Sequence, residues 1–519
     1  MSKNKSKNQT KVRPYAVMCT DLYLLWILMV YPLYYADGYF HLPEKKATFW
    51  CVSTLIYLGV TLFGIVITTF SSKEQWDLER IKKDISITDI FMFGFLISNL
   101  IAFALSQDKV RAWTGAGSRY YGAKVLILAC LVYFVVSRCA WVNKVFLWAF
   151  LLGGNVVCLL ATFDYFGMDV LGINKQMQPS DWLIFISTLG NANTCASYIA
   201  MVVAGAMAYF LIAGELSSKI LCGITIVNSS IAMITSRSDS VFIGMAVAFV
   251  VIIVLAVKEK VLWKDVVLAV MLMDIGFLSL SLLRKNNIQH LLDETNDSGI
   301  PRMVFSNSGI LALILVVTIV LYAIIYYMER KSIVLSKKYI CGIYAGSLIC
   351  GTVIVGILVK KLQLFELFVS GIGLDADFNV GTRIYTYRIT LESFANLPFI
   401  NKVFGSGQSS LTDVLNTLFG TELYRWGMSI NSTHDSILEY LMMCGIFGAV
   451  CYVGAVITTI IAGIRKAHWD KNILVVIIIV ISYFAQGLFN IEQTNTTTIF
   501  WLFIALAQAM CRQSVINKR

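Results

Sequence analysis

Fourteen apolar runs, most of them about 20 residues long, follow one another from residue 17 to residue 511, near 17–35, 47–70, 87–106, 122–137, 145–163, 183–213, 220–235, 240–257, 264–283, 309–328, 339–359, 436–463, 472–489 and 493–511. About 20 residues of helix cross a hydrocarbon core roughly 30 Å thick. A lipid-exposed backbone has no water to bond, so such runs must close their hydrogen bonds internally as helices. The expected fold is therefore all-α: a polytopic transmembrane helical bundle of about 12–14 spans. Composition agrees, with 58% hydrophobic and 14% charged residues against about 45–50% and about 25% in soluble domains.

The net charge of +11 does not mark a nucleic-acid groove, because the lysines and arginines are scattered over many short loops, as membrane orientation requires. With the N-terminus placed inside and sides alternating, 25 of the 42 basic residues fall on the inner flanks; six more sit in Lys360–Thr433, and the short outer loops keep 11. That bias puts both termini in the cytoplasm of a multi-pass membrane protein. The expected layout is a basic N-terminus at 1–16, helices 1–11 over 17–359, a large extracytoplasmic loop with short helices at 360–435, helices 12–14 over 436–511, and a cytoplasmic tail at 512–519. The N-terminal basic cluster before the first run reads as a signal anchor rather than a cleaved signal peptide. Twelve cysteines lie almost entirely inside apolar runs, as Cys130, Cys158, Cys222, Cys350 and Cys451 do. They read as small core residues, with neither a disulfide framework nor a CxxC metal pattern.

Polar residues at membrane depth are where function is expected. Leu189-Gly190-Asn191-Ala192-Asn193-Thr194 sets two asparagines in apolar sequence, so Asn191 and Asn193 should face protein or water. A polar helix contact accounts for them equally well. Thr235-Ser236-Arg237-Ser238-Asp239-Ser240 turns between two apolar runs, and an arginine in or near the bilayer costs about 2.5–3.5 kcal/mol, so it calls for a partner or a role. An Arg237–Asp239 pair closing the turn is the plainer reading. The polar Arg284–Ser308 loop, with His290, has no metal-ligand spacing and reads as a solvated connection. In the large loop, Leu362–Val369 is amphipathic enough to lie on the membrane surface. Arg383, Tyr387 and Leu391 share a stripe of a helix that Pro398 ends, with Arg388 adjoining it. Gly405-Ser406-Gly407 reads as a flexible turn, and a helix from about Leu411 to Phe419 is expected to stop at Gly420. Ser436-x-x-Glu439 matches a capping box, which puts His434 just ahead of a helix N-terminus. Asp375-Ala376-Asp377 is the nearest approach to a paired metal ligand, and no metal or cofactor is expected.

In this arrangement the chain resembles the bacterial O-antigen ligase and polymerase family. The resemblance rests on Gly190-Asn191-Ala192-Asn193, Thr235-Ser236-Arg237, Arg383 with Pro398 and a following Gly-x-Gly, and His434 with Gly445-x-x-Gly448. Asp435 stands where an asparagine is common, Met443 where an acidic residue is common, and three extra residues separate Pro398 from Gly405. The resemblance implies a membrane glycosyltransferase acting on undecaprenyl-diphosphate-linked glycans on the outer face. The partners are then a lipid-linked oligosaccharide donor, a glycan, lipid or protein hydroxyl acceptor, and membrane lipid, without nucleic acid. The chemistry needs cations for the departing diphosphate, a role suited to the forks of Arg237, Arg383 and Arg388. It also needs a base for the acceptor proton, and His434, kept neutral by the helix dipole, suits that. Asn191, Asn193, Tyr387 and Asp435 would line the substrate cavity. A merely capping His434 is the structural alternative, and a flippase or exporter of lipid-linked oligosaccharide, or a non-catalytic assembly subunit, the functional ones.

Overall fold

The computed structural model describes residues 14–72, 84–115, 117–175, 177, 178, 182, 185–258, 263–285, 300, 301, 308–331, 383–468 and 470–516. Twelve of the fourteen apolar runs fall on helices, and the run at 183–213 is α-helical only from Ala192 on. The run at 339–359 lies outside the described residues, as do Leu362–Val369, His290, Asp375 and Asp377. Among the described residues, nine helices are long and apolar enough to cross a membrane, and Ser240–Ala256 and Asn472–Gly487 are shorter apolar helices. The chain is an all-α polytopic membrane protein. Strand is confined, among the described residues, to Phe185–Ile186 paired antiparallel with Gly190–Asn191.

The chain divides into two compact units. The first takes in Met1–Gly153, Ile389–Val480 and Ile491–Arg519. Its main packed pairs are Ile87–Leu105 on Ser436–Lys466 and Ala123–Cys139 on Thr494–Ile516. Ile87–Leu105 starts with a true capping box, Ser86 and Asp89 each taking the other's backbone N–H. The core at this packing is aromatic: Phe95 meets Tyr440 edge-on at 5.4 Å and stacks on Trp501 at 5.2 Å. Tyr121 and Tyr440 share a hydroxyl bond of 2.8 Å, and Trp501 donates its indole N–H to Tyr121 at 2.9 Å. Buried aromatics thus keep their polar ends paired.

The second unit takes in Gly154–Arg388 and Ile481–Asn490. Ala192–Ile212 is its axis, buried over almost its whole length and packed on Leu216–Thr235 and Ser240–Lys258. Its small residues Ala196, Ala200, Ala204 and Ala208 let neighbouring backbones approach, which is how helices associate where apolar burial gives no drive. Trp263–Lys285 and Ser308–Arg330 pack as a further pair. Ser308–Arg330, with mean hydropathy 2.8 over its most apolar window, exposes Leu313, Val316, Ile319 and Val320, a face suited to lipid.

The segment from 383 to 435 forms three helices, Arg383–Ala395, Phe399–Phe404 and Leu411–Arg425. Pro398 stands between the first two, as its missing N–H and fixed φ demand. Gly420 is not a stop: the third helix runs through it to Arg425, and Gly427, at φ 62°, takes the left-handed position after the end. Ser436–Lys466 is two helices in line, broken at Gly445 (φ 69°, ψ −175°).

Candidate active site

His434 stands at the end of the extended stretch that leads into the helix at 436, and its backbone is left-handed, φ 55°. A side chain in that conformation costs about 1–2 kcal/mol, so the surroundings must hold it there. They do so through hydrogen bonds. The His434 N–H donates to Ser432 Oγ at 3.1 Å. The carboxylate of Glu439, 4% exposed, accepts from the Thr433 N–H (3.0 Å), Thr433 Oγ1 (3.2 Å) and Ser432 Oγ (3.4 Å), and pairs with Arg119 Nη1 at 2.9 Å.

This geometry corrects the capping box expected at Ser436. The cap is Asp435, whose Oδ1 accepts the Leu438 N–H at 2.7 Å. Ser436 donates to Glu492 instead, and Glu439 is turned to Arg119 and Thr433. Burial raises the Asp435 carboxyl above its ordinary range, against the Leu438 and Ile437 N–H groups, which favour the anion. Capping by its neighbour frees His434 from being the cap itself.

The two glycine motifs fit each other. A Cβ on Gly405 would sit 2.1 Å from Met443 O, and one on Gly445 2.3 Å from Val403 O. Both residues have positive φ, so glycine is required twice over, by conformation and by contact. The Ser406 and Gly407 N–H groups donate to Met442 O and Met443 O, both at 3.1 Å. These are the carbonyls whose helical partners the Gly445 break removes. The turn expected to be flexible is therefore a docked one, and it explains why Gly-x-Gly and Gly-x-x-Gly occur together.

In the second unit Asn191 caps Ala192–Ile212, its side chain accepting the Asn193 N–H at 2.9 Å. Asn193 Oδ1 accepts from Ser238 Oγ at 2.7 Å, and Ser238 meets Ser240 at 2.8 Å. Gln486 donates to Ser240, and Asn490 to Asn193 O and Ser197 Oγ. The structure thus joins the Asn turn and the Ser-Arg turn in one polar network. Arg237, at φ 57°, sits with its guanidinium carbon 5.0 Å from the centroid of the Tyr165 ring. Asp239 takes the Ile300 N–H at 2.7 Å, and burial pushes its carboxyl up to about 6, against that N–H and the charge of Arg383. Arg383 is half-buried, its Nη1 lacking a hydrogen-bond partner among the described residues. Burial holds its guanidinium below the ordinary value, opposed by Tyr387 and Asp239. Arg388 is exposed, its guanidinium carbon 5.6 Å from the Tyr385 centroid. Arg383 and Asp239 thus feel one another, whereas Arg388 points elsewhere.

Residues 302–453 match the O-antigen ligase family model. Over that stretch the chain is similar to the O-antigen ligase family. The matched stretch contains Arg383, Tyr387, Arg388, His434, Asp435 and both glycine motifs, while Asn191, Asn193 and Arg237 precede it. No curated protein sequence matches the chain. Sequence reasoning missed Arg119, Tyr165, Glu439 as a buried anchor, and Glu492. Glu492 carried a signal, an acidic residue in the polar stretch Asn490–Thr498 between two apolar runs; Arg119 carried none. Among the described residues no group of three or more His, Cys, Asp or Glu is placed to hold a metal ion.

Proposed function

We propose that this protein is an inverting glycosyltransferase of the outer face of the bacterial cytoplasmic membrane, moving or polymerising glycan from an undecaprenyl-diphosphate carrier. The acceptor oxygen forms its bond to the anomeric carbon as the bond from that carbon to the phosphate oxygen breaks. His434 takes the acceptor proton, and the lipid diphosphate leaves with the bonding pair. Arg237 and Arg383 hold the developing charge on the diphosphate; Arg388, exposed, has a steering role. The scheme needs no metal and no cofactor. The observation that carries the reading is the O-antigen ligase match over the stretch that holds both Arg383 and His434. Arg237 and His434 are two of the six described non-glycine residues with a left-handed backbone, a strain that is found at functional sites.

Turnover of a lipid-linked oligosaccharide by the purified protein tests it, with an inverted anomeric centre expected in the product. A retained configuration, or translocation across vesicles with no new glycosidic bond, overturns it. Arg237→Lys and Arg383→Lys keep the charge and lose the bidentate fork. Each is expected to weaken donor use by roughly 10-fold or more, since a charged hydrogen bond contributes about 1.5–3 kcal/mol. Wild-type kcat/KM for the donor in both variants removes the arginines from the mechanism.

Sidedness has its own check. The described native cysteines are buried or half-buried, and the unsubstituted protein gives the background labelling. In intact spheroplasts a membrane-impermeant thiol reagent is expected to label Tyr424→Cys and to spare His468→Cys. The opposite pattern inverts the topology and puts the domain in the cytoplasm.

A further inference from the structure

Next to the docked Gly405-Ser406-Gly407 turn, within the first unit, lies a cavity of about 290 Å³ between the Leu105–Arg111 segment and the helices that follow Ile389. Nothing in the scheme above uses it. That volume is many times the roughly 30 Å³ of one water molecule and at the small end of ligand pockets, about 300–1,000 Å³.

Three buried polar atoms on its lining residues have no hydrogen-bond partner among the described residues: Ser393 Oγ, Ser406 Oγ and Gln408 Oε1. Ser393 is 2% and Gln408 1% exposed. The orientation of Gln408 follows from its neighbours. Asn99 gives its amide N–H to Phe95 O at 2.8 Å and so presents its oxygen to Gln408. Gln408 Nε2 donates to Asn99 Oδ1 at 3.0 Å and to Asn99 O at 3.2 Å. Its carbonyl oxygen is then the atom left over, an acceptor on a residue of the same lining as Ser393 and Ser406, whose hydroxyls donate or accept.

Among the described residues, the one cation on the cavity lining, Arg111, is shared between the two carboxylates, Asp108 and Asp413. Arg111 pairs with Asp413 and lies 3.8 Å from Asp108, and Asp108 also caps the Lys109–Thr114 helix through the Arg111 N–H at 2.9 Å. Leu397, Pro398, Val414 and Leu418 supply apolar wall. A small ligand with many hydroxyls, apolar C–H faces and no charge fits this lining; a phosphate or a carboxylate would meet two carboxylates whose one cation is already taken.

We infer that the cavity lined by Ser393, Ser406 and Gln408 is a binding subsite for one neutral sugar ring of the glycan. The choice of sugar rests on the O-antigen-ligase-like reading; the cavity and its unpartnered atoms do not. The ring belongs to the donor or to the acceptor glycan, and the two sources separate kinetically.

The test uses full-length protein in nanodiscs and saturation-transfer NMR with methyl glycosides of glucose, galactose, N-acetylglucosamine and glucuronic acid. At least one neutral glycoside is expected to bind, more tightly than the glucuronide. Ser393→Ala removes one neutral hydrogen bond and should weaken that binding by about 2- to 10-fold. Thr417→Trp, at an exposed position of the cavity lining, should abolish it. In turnover assays Ser393→Ala raises KM by a similar factor for one glycan alone, leaving kcat unchanged: the donor's KM marks a donor subsite, the acceptor's an acceptor subsite. Wild-type protein that binds none of the glycosides, or binding that neither variant alters, overturns the inference. Glycoside binding lost in both variants, in a protein that forms no glycosidic bond, keeps the subsite and rejects the transferase reading.

Discussion

Replacing His434 by alanine is expected to slow turnover about 10²–10⁴-fold, the usual contribution of a positioned general base, while leaving donor affinity unchanged. A base acts on the acceptor proton in the transition state and contributes little to ground-state binding, so kcat and kcat/KM should fall together. The structure sharpens the contrast with a capping role. Asp435 already caps the helix at 436 through the Leu438 N–H, so removing the imidazole should cost that helix little. Histidine tolerates the left-handed conformation of position 434 somewhat better than alanine does, so His434→Asn, which also tolerates it, is the backbone control. Single-turnover rates on purified, folded protein decide the matter. Near-normal rates would sink the base assignment and make His434 a surface feature of the turn.

Arg119→Ala is expected to lower the stability of the first unit by about 3–5 kcal/mol, the usual cost of leaving one partner of a buried ion pair alone. The pair is nearly closed to solvent, with side chains 9% and 5% exposed. Without the guanidinium, the Glu439 carboxylate keeps only Thr433 and Ser432 as donors. Replacing both charges with apolar residues of similar size, Arg119→Met with Glu439→Met, should recover part of the loss, because the desolvation penalty disappears with the charges. Since the same carboxylate holds the Ser432–Thr433 backbone in front of His434, turnover per folded molecule should fall in both variants. Denaturation in detergent gives the first quantity and active-site titration of the folded fraction the second. A single mutant as stable as wild type would mean that the pair is solvated and anchors nothing.

Several features of this molecule follow from local sequence. The apolar runs foretell helices because lipid admits few other ways of pairing a backbone, and twelve of them coincide with described helices, a thirteenth only from Ala192 on. The Arg383–Ala395 helix and its end before Pro398 follow from side-chain spacing and one missing N–H. Asn191, Asn193 and Arg237 were legible too, as polar side chains out of place in apolar surroundings, whereas the candidates in the 360–435 loop were marked by helix spacing and the family resemblance.

The rest depends on residues far apart in the chain. Ser436-x-x-Glu439 has the spacing of a capping box, but its serine and glutamate find stronger partners in Glu492 and Arg119, the latter 320 positions away. Gly420 looks like a helix end and is not, because nothing there opposes helix continuation. Gly445, inside an apolar run, breaks its helix because Gly405 and Gly407 dock against the carbonyls it frees. Sequence alone determined which segments are helical and which side chains were too polar to face lipid, since both follow from the solvent around a single segment. Only the tertiary structure decided which of those side chains are caps and which are anchors, because a hydrogen-bonding group takes the best partner that folding brings within 3 Å or so, and spacing along one helix does not reveal it.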